Sequence, residues 1–396
     1  MSETANGPLA GIRVLDLGRY QAGPRCALMF ARMGAEVIKV ESVNGDESRK
    51  NGPTVRGQSA YWVQYNSGKK SLAINLRTDE GKDVVKDLVK VSDILIQNFR
   101  PGTIDIMGFG YEALKELNPG IIMVNVSAYG QTGPYKDRVG FDPIGQAMGG
   151  LMSLTGEEGM PPMRTPFPLI DRITSLHATI GALAALRERE ISGMGQTIDV
   201  CLADTGYTCN EIPISAYLGE GYEQKKEGNG RGTGGTYKTT DGWVILAATN
   251  QNMWTRLCEC IGKEEWVSDD KFASRGDRSK HANDIEVELN KWFSSKTMAE
   301  AVDLLSSNGI PCSPVNTTRQ AAEDPHMSER DIIMEVPDPI AGSIHVTGKM
   351  IKFGRTEMVV GSAPVVGQHS SQILSEILQY SDEKISALSN EEIIGT

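Results

Sequence analysis

Apolar residues in the first third of the chain fall in short runs separated by amphipathic stretches, a pattern that predicts strands alternating with helices. IRVLDL (12–17), EVIKVE (36–41), SLAINL (71–76), DILIQN (93–98) and IIMVNV (121–126) are the runs. Each is short and nearly continuous, as expected of strands buried on both faces. After the first, RYQAGP turns into a helix predicted from about Pro24 to Met33, with proline in the first turn, where its missing N–H costs nothing. Gly34 ends that helix. Over 79–91, Val84, Val85, Leu88 and Val89 recur at helical spacing, and another helix separates 93–98 from 121–126. Such alternation implies an α/β fold, a Rossmann-like parallel sheet covered by helices on both faces.

Helical patterning continues over 141–154 and 172–190, the second segment being rich in Ala and Leu. A loop rich in Pro, Gly and Met (155–169) joins them. After 220 the composition turns polar and glycine-rich, which predicts a linker or mobile loop. Residues 243–330 read as a smaller α+β unit, with a strand at WVILAAT and helices near 252–261, 281–294 and 297–307. Residues 335–366 are extended and turn-rich, and the tail from 368 is helical again. The expected domains are therefore a large one, 1–220 completed by 335–396, and a small one, 221–334.

Composition narrows the function. A chain of 396 residues exceeds the usual span of one core, so two domains are the default. No run of roughly 18 apolar residues is present, so no membrane-spanning helix is expected. The start, MSETANGPLAG, lacks the basic and apolar regions of a secretory signal. Six cysteines without a CxxC pair, and five histidines, argue against a zinc site or a disulfide framework and for a reducing cytoplasm. A net charge of −11 disfavours nucleic acid as a partner, while local cations and helix N-termini still allow an anionic ligand.

Several segments are candidates for chemistry. The turn LGRYQAGP (17–24) follows the first strand but lacks GxGxxG, which disfavours a dinucleotide site and leaves either another anionic ligand or a plain tight turn. NSGKKSLAINLR (66–77) offers Lys69, Lys70 and Arg77 to phosphates, or to solvent. QNFRPG (97–102) sets Arg100 just beyond the carboxyl end of a strand, where open α/β sheets bind ligands. Lys136 and Arg138, in AYGQTGPYKDRVGFD, are phosphate contacts or surface charges. Asp171 opens a long apolar helix after a Pro-rich loop. An N-cap aspartate is more often structural than catalytic, but its carboxylate would face out of the helix end, within a ligand's reach. GNGRGTGG (228–235) has five glycines in eight residues, suited to close backbone approach, a lid or a linker.

In order and spacing, PLAGIRVLDLGRYQAGP, GAEVIKVE, NSGKKSLAINLRTDEGK, NFRPG, SAYGQTGPY, Asp171 before GALAALRERE, GMGQTIDV and NGIPCSPVN resemble the class III CoA-transferase family (formyl-CoA transferase or CaiB/BaiF type) over nearly the whole chain. The resemblance implies an interlocked homodimer, or a heterodimer with a paralogous subunit, and a benzylsuccinate CoA-transferase-like subunit is one candidate. It implies Asp171 as a covalent nucleophile. It implies CoA contacts at Tyr20, Gln21, Ala22, Lys39, Ile74, Arg77, Asn98 and Phe99, and a mobile glycine loop at 228–235. Basic positions of formyl-CoA transferase fall here on Ser42 and Ile106, leaving Arg100 or Arg138 to compensate. The related racemases carry histidine at the position of Phe141, which cannot exchange a proton with an α-carbon.

The resemblance thus leads to a CoA-transferase whose substrates are an acyl-CoA donor and a carboxylic acid acceptor, with no permanently bound cofactor and no metal. Amides near Gln21 and Ala22 and those of the Gly228–Gly235 loop are the expected oxyanion donors, Gln21 serving catalysis. Met160, Met163 and Phe167 point to an apolar or aromatic acyl group, and Arg164 or Arg172 to a second carboxylate. Succinyl-CoA is the expected donor and an aryl dicarboxylate such as benzylsuccinate the expected acceptor. An acyl-CoA racemase or lyase on the same scaffold, and a non-catalytic subunit, are the alternatives.

Overall fold

The computed structural model describes residues 7–395. The chain divides into two compact units. The larger comprises Met1–Leu151, Arg164–Glu211 and Pro325–Thr396; the smaller comprises Met152–Met163 and Ile212–Asp324.

The larger unit is built on a seven-stranded sheet. Six strands are parallel: β1 (Arg13–Asp16), β2 (Glu36–Glu41), β3 (Lys70–Ile74), β4 (Ile94–Gln97), β5 (Ile122–Ser127) and β6 (Thr197–Cys201). Their order is 3-2-1-4-5-6, and Ile394–Gly395 from the tail pairs antiparallel with β3. The order reverses between β1 and β4, the place where doubly wound sheets leave a crevice at their carboxyl ends.

Alternate residues of each strand feed opposite cores. Leu15, Ile38, Val40, Leu72, Leu95 and Met123 pack with Val84, Val85, Leu88 and Val89 of the helix Asp79–Lys90 and with Ile373 and Leu374 of the tail. Val14, Val37, Ile94, Ile96, Ile122 and Val124 pack instead against α1 (Ala22–Arg32) and α3 (Leu169–Ser192). The period of two along each strand thus covers both faces of the sheet. The helix Asp79–Lys90 is capped by Thr78, whose hydroxyl accepts from the Gly81 N–H at 3.1 Å.

α3 has the length and composition of a membrane-crossing helix, which the absence of a continuous apolar run did not lead us to expect. Its Ala178, Ala182, Ala185 and Leu186 are built into the second core instead. It also begins earlier than expected, at Leu169.

The smaller unit has a four-stranded antiparallel sheet, Cys312–Pro314, Trp243–Ala247, Gly234–Lys238 and Gly230–Arg231 in spatial order. Tyr237, Val244 and Leu246 pack against Trp254, Leu257, Leu289, Phe293 and Leu305 from its helices.

The unit boundaries differ from those expected, for local reasons. Met152–Met163 was assigned to the large domain. It closes on itself through Met163 N–H to the Met152 carbonyl (3.3 Å) and is tied to the small unit by the Lys226 ammonium on the carbonyls of Met160 and Pro161 (2.6 and 2.8 Å). At the other end, residues 325–334 were assigned to the small domain. Ile333–Asp338 forms a hairpin with Gly342–Thr347, so its first residues follow that hairpin into the large unit. The stretch 228–235, expected as a mobile loop, is in part a tight hairpin in which Arg231 pairs with Gly234 and Gly230 with Gly235. A side chain at Gly230 would collide with the Gly234 carbonyl, and its φ of +78° is the left-handed one that glycine adopts freely.

Candidate active site

The residues that leave β1, β4, β5 and β6 at their carboxyl ends, together with the start of α3, enclose a cavity of about 520 Å³. Its lining includes Arg19, Tyr20, Gln21 and Ala22 after β1, Asn98, Phe99 and Arg100 after β4, Ser127 and Ala128 at the end of β5, and Arg138, Phe141 and Asp171. A second cavity, of about 590 Å³, opens over β2 and β3 and is lined by Glu41–Glu47, Ile74, Asn75 and Arg77. Arg19 and Phe99 belong to the walls of both. The two cavities therefore adjoin at the reversal of strand order.

Asp171 was expected at the N-cap of its helix. The cap is Pro168, which has no side chain to bond there, and Asp171 is the third helical residue. Its N–H, one of the donors that a helix start leaves free, goes to Oδ1 of Asp142 at 3.0 Å. Asp142 opens α2 (Asp142–Met148), with Pro143 at a position where proline favours helix initiation. Its other oxygen accepts from Gln146 Nε2 at 2.5 Å, and Gln146 Oε1 accepts the Thr165 N–H at 2.9 Å. Asp142 thus does the capping and leaves the Asp171 carboxylate free of it. Among the described residues no donor reaches either oxygen of that carboxylate.

A partly buried carboxylate without donors resists ionisation. Burial, and then the negative charge of Asp142, push the Asp171 carboxyl up to about 7. Gln21 stands beside it, only 2% exposed, with its amide donating to the Pro168 carbonyl at 3.3 Å.

The turn after β1 is held from behind. Asn98 accepts the Arg19 N–H at 2.7 Å and donates to the Arg19 carbonyl at 2.8 Å, so it positions the turn as well as lining the cavity. Tyr20 takes a left-handed φ of +61°, unusual for a residue with a side chain. Its ring meets Phe141 edge-on, with centroids 6.0 Å apart. Arg138 lines the cavity and stacks on Tyr135.

The expected site residues separate as follows. Tyr20, Gln21, Ala22, Asn98, Phe99, Arg100, Arg138 and Asp171 meet at the first cavity, and Ile74 and Arg77 at the second. Lys39 and Lys136 line neither. Lys39 is 1% exposed, its ammonium occupied by the Gly18 carbonyl and by Asp46 at 3.2 Å. Lys136 is exposed on a turn. The lysine pair weighed as a phosphate grip is also engaged: Lys69 is buried against Asp16 (2.6 Å), Pro24 and Asn66, and Lys70 pairs with Glu36 at 2.7 Å. Sequence reasoning passed over Asp142, Gln146 and Arg19. Asp142 carried a visible signal, an acid just before proline at a helix start.

Comparisons with known proteins agree with this architecture. The model of CoA-transferase family III matches residues 9–370. A succinyl-CoA–D-citramalate CoA-transferase of Chloroflexus aurantiacus is 35% identical, the alignment covering 98% of each chain. The beta subunit of a succinyl-CoA–L-malate CoA-transferase from the same organism is 35% identical over 99% of each. The crystal structure of a CaiB/BaiF family protein from Brucella suis superposes with a TM-score of 0.84 at 31% identity, over 94% of this chain and 100% of that one. The chain belongs to CoA-transferase family III.

Proposed function

We propose that this enzyme moves CoA from succinyl-CoA to a second, dicarboxylic acid, with Asp171 as the covalent nucleophile. One observation carries it: the Asp171 carboxylate faces a cavity at the sheet's carboxyl edge without a hydrogen-bond donor, poorly solvated and therefore reactive. Two relatives whose names pair succinyl-CoA with a dicarboxylic acid support the choice of donor and acceptor class. They favour an aliphatic acceptor over the aryl dicarboxylate expected from the Met- and Phe-rich loop.

The ionised carboxylate attacks the thioester carbonyl, forming an aspartyl–acyl anhydride and expelling CoA thiolate. The thiolate attacks the aspartyl carbonyl, which breaks the anhydride, releases the donor carboxylate and leaves an aspartyl-CoA thioester. The acceptor carboxylate then attacks this thioester, giving a second anhydride and thiolate. Thiolate attack on the acceptor's carbonyl yields the new acyl-CoA and restores Asp171. Every nucleophile is an anion, so no step needs a general base. Each tetrahedral intermediate needs donors for its oxyanion, a role for the Gln21 amide and the Ala22 N–H. Holding CoA by its nucleotide end makes each thiolate return effectively intramolecular.

The working assembly we propose is an interlocked homodimer, or a heterodimer with a paralogous subunit. Ile180 and Ile191 on α3 are 63% and 74% exposed, apolar surface that a partner chain would cover. Light scattering on the purified chain tests this, and a monomer that is fully active would overturn it. For the chemistry, the enzyme is incubated with succinyl-CoA, trapped with hydroxylamine and mapped by mass spectrometry. The expected adduct is at Asp171; modification at any other residue rejects the assignment.

A further inference from the structure

The exposed ion pair between the two cavities has no role in the chemistry above. Arg19 Nη2 lies 2.6 Å from Glu47 Oε1, and Tyr20 donates its hydroxyl to the other Glu47 oxygen at 2.6 Å. The side chains of Arg19 and Glu47 are 42% and 60% exposed, so water competes for the pair and it adds little to stability. The other acids of the second cavity are matched from within the fold, Glu41 by Arg49 at 2.6 Å and Asp46 by Lys39 at 3.2 Å. Glu47 alone occupies a cation that faces the ligand space. Arg19 and Arg77 are the arginines lining that cavity, and only Arg19 also lines the cavity of Asp171.

CoA has the matching layout. Its nucleoside and its pantetheine arm are joined by a diphosphate. With the thioester at Asp171 and the nucleoside in the second cavity, the joint of the ligand falls at the joint of the cavities. A guanidinium there binds phosphate oxygens through two parallel N–H groups, and a carboxylate on the same guanidinium is a competitor.

We infer that Arg19 grips the CoA diphosphate and that Glu47 is its placeholder, displaced when CoA binds. This rests on the proposed CoA chemistry and adds a consequence. Displacing Glu47 also takes away the acceptor of the Tyr20 hydroxyl. Tyr20 holds a left-handed backbone and packs on Phe141 in the acyl cavity, so arrival of the nucleotide end loosens a wall of the site where chemistry occurs.

Calorimetry of CoA, dephospho-CoA and a succinyl-pantetheine thioester against the full-length enzyme tests the assignment. Arg19→Ala should weaken CoA and dephospho-CoA alike by about tenfold and weaken binding of the pantetheine thioester, which has no diphosphate, far less. Glu47→Gln should tighten CoA severalfold, because the competitor has lost its charge. Unchanged CoA affinity in Arg19→Ala, a loss confined to CoA with its extra ribose phosphate, or weaker binding in Glu47→Gln would each overturn the proposal. A wild-type chain that binds no CoA would instead refute the proposed function. Arg19→Lys, which keeps the charge but not the paired donors, should fall between, and matching thermal melts exclude misfolding.

Discussion

Buried charge is handled in opposite ways on the two sides of the strand-order reversal. Over β1, β2 and β3, Asp16 pairs with Lys69 at 2.6 Å, Asp46 with Lys39 at 3.2 Å and Glu41 with Arg49 at 2.6 Å. Each of these carboxylates has a cation as its partner. Beyond β5, Asp142 and Asp171 are neighbours of the same sign, and Asp142 relies on an amide, not a cation, for its second oxygen. Desolvation is offset by pairing in the first region and left standing in the second. The first region is scaffold for the turns that line the cavities. The second leaves a carboxylate without a cation, the state in which the proposed nucleophile would react most readily.

Exchanging Asp171 should separate the two regions most sharply. Asp171→Asn is expected to lower turnover by roughly 10⁴-fold, measured with succinyl-CoA under saturating acceptor, because no covalent step remains. The same change should stabilise the fold at pH 8. The folded-state carboxyl is raised from 3.8 to about 7, so folding is penalised as pH climbs through that window and the penalty is complete above it. Asparagine removes it. Denaturation should show a gain on the order of 2 kcal/mol at pH 8 and none near pH 4; equal effects at both would break the contrast.

On the paired side, Lys69→Met strands Asp16 in the core. A loss of about 3–5 kcal/mol is expected, read by chemical denaturation. Adding Asp16→Asn should recover a large part of it, because the stranded charge is then gone.

A smaller effect concerns ionisation alone. With the Asp171 carboxyl at about 7, kcat/KM for the acyl-CoA should rise with pH through that value. Asp142→Asn removes the like charge and should move the midpoint to lower pH by up to about one unit. A shift to higher pH would mean that Asp142 serves Asp171 only as a cap. The smallest effect is a control: Lys86→Ala breaks an exposed pair with Asp83 and should change stability by no more than about 0.5 kcal/mol.

Five of the six parallel strands were legible because they are buried on both sides and read as short, nearly continuous apolar runs. Ile94–Ile96 and Ile122–Val124 show this. β6, TIDVC, has a polar, exposed Asp199 at its centre and was not read as a strand. The hairpin inside 228–235 was not legible. Its glycines match a linker in composition, and the pairing of Gly230 with Gly235 depends on a neighbouring strand. Asp171 was not legible as the third residue of its helix, since Leu169 and Ile170 carry no capping signal and the N–H of residue 171 is satisfied by a residue 29 positions away. Lys69 and Lys70 read as candidate ligand cations because a sequence shows charge and not whether a carboxylate already holds it.

By itself, then, the chain's hydrophobic rhythm determined the alternating architecture and the carboxyl edge where a ligand would sit, because burial of each strand is written in nearby residues. Which cations are free for a ligand and which carboxylate stands bare were decided only by the tertiary structure. Both depend on partners distant in sequence, and the energy of a charge is set by its surroundings more than by its own identity.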